Sequence, residues 1–177
     1  MKEKPKGNVY WITGLSGAGK TTIGKILYEK LMLMNKNVIL WDGDTVRGVF
    51  KEPYDEKYDY DSRKKGAFRD ARVIKMISDQ GVDIVICTIA MIHDVQEWNR
   101  CNIENYHEIY IECPMDVLEK RDQKKLYSGA KQGMVKNVVG VDIVPEFPVN
   151  PDVHVMNDGS NTPKDICDSI ATELGLV

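Results

Sequence analysis

Hydrophobic and polar positions divide this chain into short apolar runs separated by longer stretches of helical character. The apolar runs are rich in Ile and Val and are apolar on both faces, which is typical of buried parallel strands. We predict five strands, at residues 9–13, 38–41, 83–87, 108–112 and 153–156. We predict helices at residues 21–34, 66–80, 93–102, 115–124 and 162–174.

This alternation of strands and helices predicts an α/β fold, with a parallel five-stranded sheet and helices on both of its faces. Two stretches do not follow the pattern: residues 49–63, which are rich in Tyr and Asp, and residues 124–151, which are rich in Lys, Gly, Val and Pro. Loops of this length in a compact domain are usually functional. We predict a single domain over residues 1–177, with an acceptor loop in the first stretch and a lid at about residues 124–151.

Residues 14–21 have the sequence GLSGAGKT, which fits the pattern G-x-x-x-x-G-K-[ST] between a predicted strand and a predicted helix. Glycines allow backbone N–H groups to surround phosphate oxygens, and the helix N-terminus adds partial positive charge. Lys20 can reach the β- and γ-phosphates, and the Thr21 hydroxyl can ligate Mg²⁺. A glycine turn that binds nothing would need strand, spacing, lysine and threonine to coincide by chance, so we predict a P-loop NTPase-type fold. The predicted nucleotide-binding residues are Gly14, Ser16, Gly17, Ala18, Gly19, Lys20, Thr21 and Thr22.

The second predicted strand is followed by Asp42, Gly43 and Asp44, with Arg47 one helical turn later. Two carboxylates therefore lie at the carboxyl end of a strand, the edge where ligands bind in open α/β sheets. One could accept a proton from an attacking hydroxyl, while the other holds metal-bound water or orients the acceptor. An ordinary Asp-Gly turn is the alternative, and the sequence leaves open which of the two carboxylates is the base.

Basic residues are concentrated at positions 120–125, with Lys131 shortly after them. Most such charge runs are solvated helix faces. This one opens the second irregular stretch, so we predict that Arg121, Lys124 and Lys131 close over phosphates. Phosphoryl transfer needs such a clamp, because its catalysis depends on positioning and charge neutralisation.

Composition excludes several classes of protein. A formal net charge of −3 and an isoelectric point near 5.7 argue against a general nucleic-acid binder. The sequence contains no 18-residue apolar run, so we expect no membrane-spanning helix. The four cysteines are widely spaced and form no C-x-x-C motif, which predicts reduced thiols in a cytoplasmic protein.

Two other functions would leave different signatures. A nucleotide-dependent switch would carry an N-K-x-D motif, and the sequence contains none. It would also carry an acid directly after the third strand, and no acid directly follows residues 83–87. A binding module without catalytic activity would be expected to lose Lys20, Thr21 or Asp42, all of which are present. We therefore predict a small-molecule kinase that uses a nucleoside triphosphate.

The chain resembles the adenosine 5′-phosphosulfate (APS) kinase family over nearly its whole length. The resemblance rests on GLSGAGKTT at 14–22, WDGDTVR at 41–47, IYIECPMDVLEKRDQKKLY at 109–127 and VKNVVGVD at 135–142. Members transfer the γ-phosphoryl group of MgATP to the ribose 3′-hydroxyl of a nucleotide with a modified 5′-phosphate. The resemblance implies that Lys20 and Thr21 hold ATP and Mg²⁺ and that Asp42 is the catalytic base. It also implies acceptor contacts from Asp44 and Arg47, lid contacts to phosphate from Arg121 and Lys124, and a homodimer.

The sequence departs from the family pattern on the acceptor side. Where the family has D-R-x-E-N-x-R-R, this chain keeps Arg63 and Arg69 but has Ser62, Gly66 and Phe68 at three of the other positions. The phosphoserine site of the family is Ala90 here, which cannot carry phosphate.

The base-binding residues also differ. The family aromatic that packs on adenine is Val138, whereas Tyr58 keeps the opposite face of the base. Loss of one stacking ring costs about 1–3 kcal/mol, and glycine in place of asparagine removes a donor–acceptor pair. The resemblance therefore favours the cytidine diphosphoramidate kinase branch, which takes a smaller base with an amidated 5′ end and serves capsule synthesis. The alternative is a divergent APS kinase that makes 3′-phosphoadenosine 5′-phosphosulfate.

Overall fold

A five-stranded parallel sheet forms the centre of the protein in a computed structural model, which describes residues 5–34, 36–50 and 58–176. The strand order is β2-β3-β1-β4-β5, and every neighbouring pair is parallel. The strands are β1 (Val9–Thr13), β2 (Val38–Asp42), β3 (Asp83–Cys87), β4 (Tyr106–Glu112) and β5 (Val153–Met156). The predicted α/β fold is thus confirmed, and all five predicted strands are present.

Seven α-helices accompany these strands in the described part of the chain. They are α1 (Lys20–Leu33), α2 (Gly43–Val49), α3 (Tyr60–Ser78), α4 (His93–Asn102), α5 (Met115–Arg121), α6 (Leu126–Lys131) and α7 (Pro163–Glu173). A short 3₁₀ helix, Gln123–Lys125, joins α5 to α6. Part of the predicted acceptor loop at residues 49–63 lies outside the described residues.

Two helices, α2 and α6, were not predicted, and two predicted helices begin or end elsewhere. Helix α2 was not predicted; it begins because the Asp42 side chain accepts a hydrogen bond from the Thr45 backbone N–H, which caps its first turn. Helix α3 begins at Tyr60 rather than at residue 66, because Asp59 caps the Ser62 N–H in the same way. Helix α5 ends at Arg121, where Asp122 adopts a left-handed conformation, so Lys124 lies beyond that helix.

Helices cover both faces of the sheet, as predicted. Because side chains alternate along a strand, Tyr10 and Ile12 of β1 face one layer, whereas Trp11 faces the other. The first layer is the cluster that includes Ile23, Leu27, Ile166 and Ile170 of α1 and α7. The second layer includes Ala71, Ile74 and Val95 of α3 and α4. The two layers hold the carboxyl ends of the strands in a fixed relation to each other.

The four cysteines are free thiols, and three of them are buried. Burial raises the pKa of Cys87 to about 12 and that of Cys167 to about 11. Cys101, near the end of α4, is exposed. Burial therefore accounts for three of these cysteines without a metal or a disulfide.

Helix α1 packs against the sheet unusually closely at Gly24. A Cβ atom there would lie 2.3 Å from the Cys87 Sγ and 3.3 Å from the Ile12 Cδ1. Since Cys87 ends β3 and Ile12 is in β1, this contact fixes the start of α1 over both strands. The loop that precedes α1 is positioned by the same contact.

We expect Gly24→Ala to lower the free energy of unfolding by about 1–3 kcal/mol, because the added methyl group overpacks a buried contact. Urea denaturation measures the change. Gly48→Ala is the control: Gly48 is exposed in α2 with no atom within 4 Å of an added Cβ, so it should not destabilise. Cys87→Ala in the Gly24→Ala background should recover part of the loss. A Gly24→Ala protein as stable as the wild type would contradict this account of the packing.

Candidate functional site

The loop between β1 and α1 has three glycines with positive φ, and at two of them an added Cβ atom would also clash. Gly14 has a φ of +151°, and a Cβ there would lie 2.4 Å from the Ile111 carbonyl oxygen. Gly19 has a φ of +97°, and a Cβ there would lie 2.5 Å from Asn157 Nδ2. No side chain caps the start of α1, so its first backbone N–H groups are available to an anion.

Three side chains from distant elements hold the carbonyl groups of this loop. The Tyr127 hydroxyl donates to Ser16 O at 2.8 Å, and Arg121 Nη1 donates to Gly17 O at 3.1 Å. Asn157 Nδ2 donates to Ala18 O at 2.8 Å. With these carbonyl groups held by donors, the cradle can present N–H groups to phosphate.

Sequence reasoning had assigned Arg121 to phosphate binding but missed Tyr127 and Asn157. Both are buried. Asn157 follows β5 at the carboxyl edge of the sheet, within an Asn-Asp-Gly turn that had been interpreted only as a break. Its position directly after a strand was the available signal, whereas no local pattern marks Tyr127.

The Lys20 ammonium group lies within the loop and donates to the Leu15 carbonyl oxygen at 2.8 Å. Withdrawal from water lowers the pKa of Lys20 to about 8, although the nearby carboxylates Asp42 and Asp44 act in the opposite direction. A negatively charged ligand in the loop would favour the charged form of Lys20.

The Asp42 carboxylate connects the loop to α2. Its Oδ2 accepts from the Thr21 hydroxyl at 2.8 Å, and its Oδ1 accepts from the Thr45 backbone N–H at 3.1 Å. Burial acts to raise the pKa of Asp42, but the hydrogen bonds together outweigh burial and hold the pKa below its ordinary value. Asp42 is therefore ionised at neutral pH and can accept a proton.

Asp44, the second predicted carboxylate, is exposed and pairs with two cations. Lys124 Nζ lies 2.5 Å from its Oδ2, and Arg47 Nη1 lies 3.3 Å from its Oδ1. Exposed pairs of this kind contribute little to stability. They do place the Lys124 side chain against α2, on the acceptor side of the predicted site.

Lys20, Thr21, Asp42, Asp44 and Lys124 line one cavity of about 400 Å³. A smaller cavity of about 100 Å³ lies beside it along α3, and both are lined by Gly43, Arg47, Tyr58, Arg63, Thr88, Ile89 and Val139. Most of the predicted phosphate-binding and acceptor-binding residues therefore line two adjacent cavities.

A few predicted residues lie outside this cavity lining. Gly14 and Ala18 are buried within the loop, and Arg121 contacts the Gly17 carbonyl oxygen. Lys131 pairs with Glu119 at 2.7 Å, away from both cavities. The structure therefore does not support the expectation that Lys131 closes over phosphate, because Glu119 of α5 neutralises it.

The aromatic and cationic residues of the acceptor side form one cluster. The guanidinium carbons of Arg47 and Arg63 lie 5.3 Å and 5.7 Å from the centroid of the Tyr58 ring. Arg63 Nη2 also donates to the Asn137 carbonyl oxygen at 2.9 Å, which connects α3 to the predicted lid. Val138 lines the larger cavity with Tyr58.

Sequence reasoning missed Asp70, which lines the smaller cavity with Arg63 and Gly66. These three residues are spaced i, i+3 and i+7 along α3, which places them on one face of the helix. Burial raises the pKa of Asp70, although Arg69 and Arg47 act to lower it. An acid on the same face as Arg63 was the signal available in the sequence.

The oxygen atoms of Thr21 and Asp42, near Lys20, suit magnesium bound together with a nucleotide better than magnesium bound by protein side chains alone. Among the described residues, no group of three or more His, Cys, Asp or Glu could hold a metal ion. Magnesium at a P-loop needs only a threonine hydroxyl, phosphate oxygens and water, and the adjacent Thr21 and Asp42 oxygens suit this role. None of the helices in the described ranges has the length and apolarity needed to cross a bilayer.

Comparison with known proteins gives concordant results. A family model described as adenylylsulphate kinase matches residues 6–156. The chain is 41% identical over 176 residues to the cytidine diphosphoramidate kinase of Campylobacter jejuni, covering 99% of this chain and 100% of that protein. It is 35% identical over 153 residues to the adenylyl-sulfate kinase of Clostridium acetobutylicum, covering 86% and 76%.

Among solved structures, the chain is similar to the APS kinase of Mycobacterium tuberculosis in complex with AMPPNP and APS. The TM-score is 0.86 at 22% identity, covering 97% of this chain and 99% of that one. At this level of identity the similarity shows the fold alone.

We expect the affinity for ATP to fall as pH rises above 8, because Lys20 has a pKa of about 8 in the free protein and loses its charge there. The loss should approach tenfold per pH unit, the limit for one proton, and calorimetric titration of ATP between pH 7.5 and 9.5 measures it. Lys20→Arg is the control, since arginine stays charged throughout and its profile should be flat. Equal slopes for the two proteins would contradict the role of Lys20.

Proposed function

The chain belongs to the adenylylsulphate kinase family and is a nucleotide kinase, and we propose that it transfers the γ-phosphoryl group of ATP to the ribose 3′-hydroxyl of cytidine diphosphoramidate. One observation carries the proposal: Lys20 and Asp42 line the same cavity, which shares Arg47 and Arg63 with an adjacent cavity along α3. A triphosphate and an acceptor nucleotide can therefore meet end to end between the loop and α3.

We assign the triphosphate to the P-loop. Ser16, Gly17, Gly19, Lys20, Thr21 and Thr22 line the cavity on this side. Gly14 and Ala18 are buried residues of the loop, and Arg121 donates a hydrogen bond to the Gly17 carbonyl oxygen. Magnesium, when bound, would neutralise charge on the transferring phosphoryl group, and Thr21 is its proposed ligand.

Asp42 is the proposed general base. It is ionised at neutral pH, and it lies at the end of β2 between the loop and the acceptor compartment. The Thr21 hydroxyl donates to Oδ2, and a second lone pair on that oxygen can accept the 3′-hydroxyl proton. Asp44 is less suited to be the base, because it is exposed and paired with Lys124 and Arg47.

Three features support cytidine diphosphoramidate rather than APS as the acceptor. The similarity to the Campylobacter enzyme extends over its full length. Val138 leaves the base with one aromatic partner, Tyr58, which suits a smaller pyrimidine. A Cβ added at Gly66 would meet only Arg69 Nη2, at 4.0 Å, so the 5′ compartment has room where the family has asparagine.

Further parts of the proposal concern the setting of the reaction. Residues 124–151 act as the lid of a single domain, with Lys124 reaching toward the phosphates from the acceptor side. ATP consumption and free thiols support a cytoplasmic enzyme. A phosphoramidate acceptor would place the product in capsule synthesis. The homodimer that the family resemblance implies remains a prediction.

We expect Asp42→Asn to leave ATP binding nearly unchanged and to lower kcat by about 100-fold or more, because the base is lost. Asparagine is also an effective helix cap, so α2 should remain folded, which circular dichroism checks. Asp44→Asn is the matched control and should lower kcat much less. If Asp42→Asn keeps wild-type turnover, the base is another group.

A coupled assay with cytidine diphosphoramidate, APS, CDP and simple nucleotides tests the function itself. We expect the highest kcat/KM with cytidine diphosphoramidate, with ³¹P NMR placing the new phosphate on the 3′-hydroxyl. Val138→Phe should improve the use of APS by restoring a stacking ring. Preference of the wild-type protein for APS would refute the proposed acceptor, and unchanged kinetics in Val138→Phe would refute the role of Val138.

A further inference from the structure

The smaller cavity along α3 contains one acid among three arginines. Arg47, Arg63 and Arg69 line it, and so does Asp70. Guanidinium groups bind the anionic oxygens of phosphate or sulfate. A carboxylate can only accept hydrogen bonds, so Asp70 would repel a group that presents oxygens alone.

Asp70 is paired with its neighbour in the chain and is largely buried. Its Oδ1 accepts from Arg69 Nε at 3.2 Å, and its side chain is 14% exposed. The buried Trp41 indole N–H of β2 and the Arg47 guanidinium act to lower the pKa of Asp70, against the larger effect of burial, which raises it.

The simplest alternative is that Asp70 serves only as the ion-pair partner of its neighbour Arg69. Burial of an ion pair carries a desolvation penalty. An Arg69–Asp70 pair in the cavity wall would therefore add little to the stability of the fold. The contact with Arg69 leaves the acid in the lining of the cavity, where a bound group can reach it. The Asp70 carboxylate can therefore contact a ligand in the smaller cavity.

The geometry also indicates which part of the acceptor enters this cavity. An acceptor whose 3′-hydroxyl lies beside Asp42 extends past Arg47 and Arg63, which line both compartments. Since the arginines suit a diphosphate, the 5′ end of the nucleotide belongs in the smaller cavity. The terminal group of that diphosphate is the one that reaches Asp70.

We propose that Asp70 determines specificity by accepting a hydrogen bond from the terminal P–NH₂ group of the acceptor, while the arginines bind its phosphoryl oxygens. This inference rests on the proposed function. A phosphoramidate has an N–H donor and one ionisable oxygen fewer than a terminal phosphate, so it matches a site of mixed charge. A sulfate or an unmodified phosphate presents only acceptors to the carboxylate.

The test compares cytidine diphosphoramidate with CDP as acceptors for the wild-type protein and for Asp70→Asn. Asparagine still accepts from Arg69 but can donate its amide to a phosphate oxygen. We expect the ratio of kcat/KM for the amidate to that for CDP to fall by about tenfold or more. The KM for ATP should not change. Asp61→Asn, an exposed acid on the same helix, is the control for net charge and should keep the wild-type ratio.

A second measurement needs no variant. Cytidine 5′-(β-fluorodiphosphate) has the charge and approximate size of the amidate but no N–H donor, so the wild-type protein should use it at least tenfold less well. Equal use of the amidate and the fluoride, or an equal loss on both acceptors in Asp70→Asn, would overturn the assignment of Asp70 and leave the proposed function standing. A wild-type protein that phosphorylates no cytidine acceptor would overturn both.

Discussion

The hydrogen bond between the Thr21 hydroxyl and the Asp42 carboxylate is the interaction on which the site depends. It joins the end of the P-loop to the start of α2 across the carboxyl end of β3, because β3 lies between β1 and β2 in the sheet. Both sides approach β3 closely: a Cβ at Gly24 would lie 2.3 Å from Cys87 Sγ, and one at Gly43 would lie 3.2 Å from Cys87 O. Small residues on two helices thus let a phosphate cradle and a carboxylate come within one hydrogen bond.

The fold and the loop could be predicted from the sequence because their signals are local. Buried parallel strands are short apolar runs, and a P-loop needs glycines, lysine and threonine at fixed spacing. Helices α2 and α6 could not be recognised in this way. Helix α2 depends on an Asp42 cap that was interpreted only as a catalytic carboxylate, and α6 lies within a stretch whose glycines and charges indicate a loop.

Contacts between distant segments also escaped sequence reasoning, for a physical reason. Tyr127 and Asn157 support the loop from α6 and from the turn after β5; no local pattern marks Tyr127, and the only signal for Asn157 is its position directly after a strand. The two halves of the site therefore differ in kind. The phosphate half is set largely by backbone, whereas the acceptor half depends on side chains along one face of α3. If the proposed acceptor site is right, substitutions on that face should change the acceptor while the sheet and the loop remain intact.

The uneven burial of the cysteines has a practical consequence. Cys87, Cys113 and Cys167 are buried, whereas Cys101 is exposed. Helix α4 follows β3 and precedes β4, so its last turn lies at the amino edge of the parallel sheet, opposite the edge that carries the P-loop. A thiol-reactive fluorophore would consequently label the native enzyme at a single position, on the far side of the sheet from both substrates.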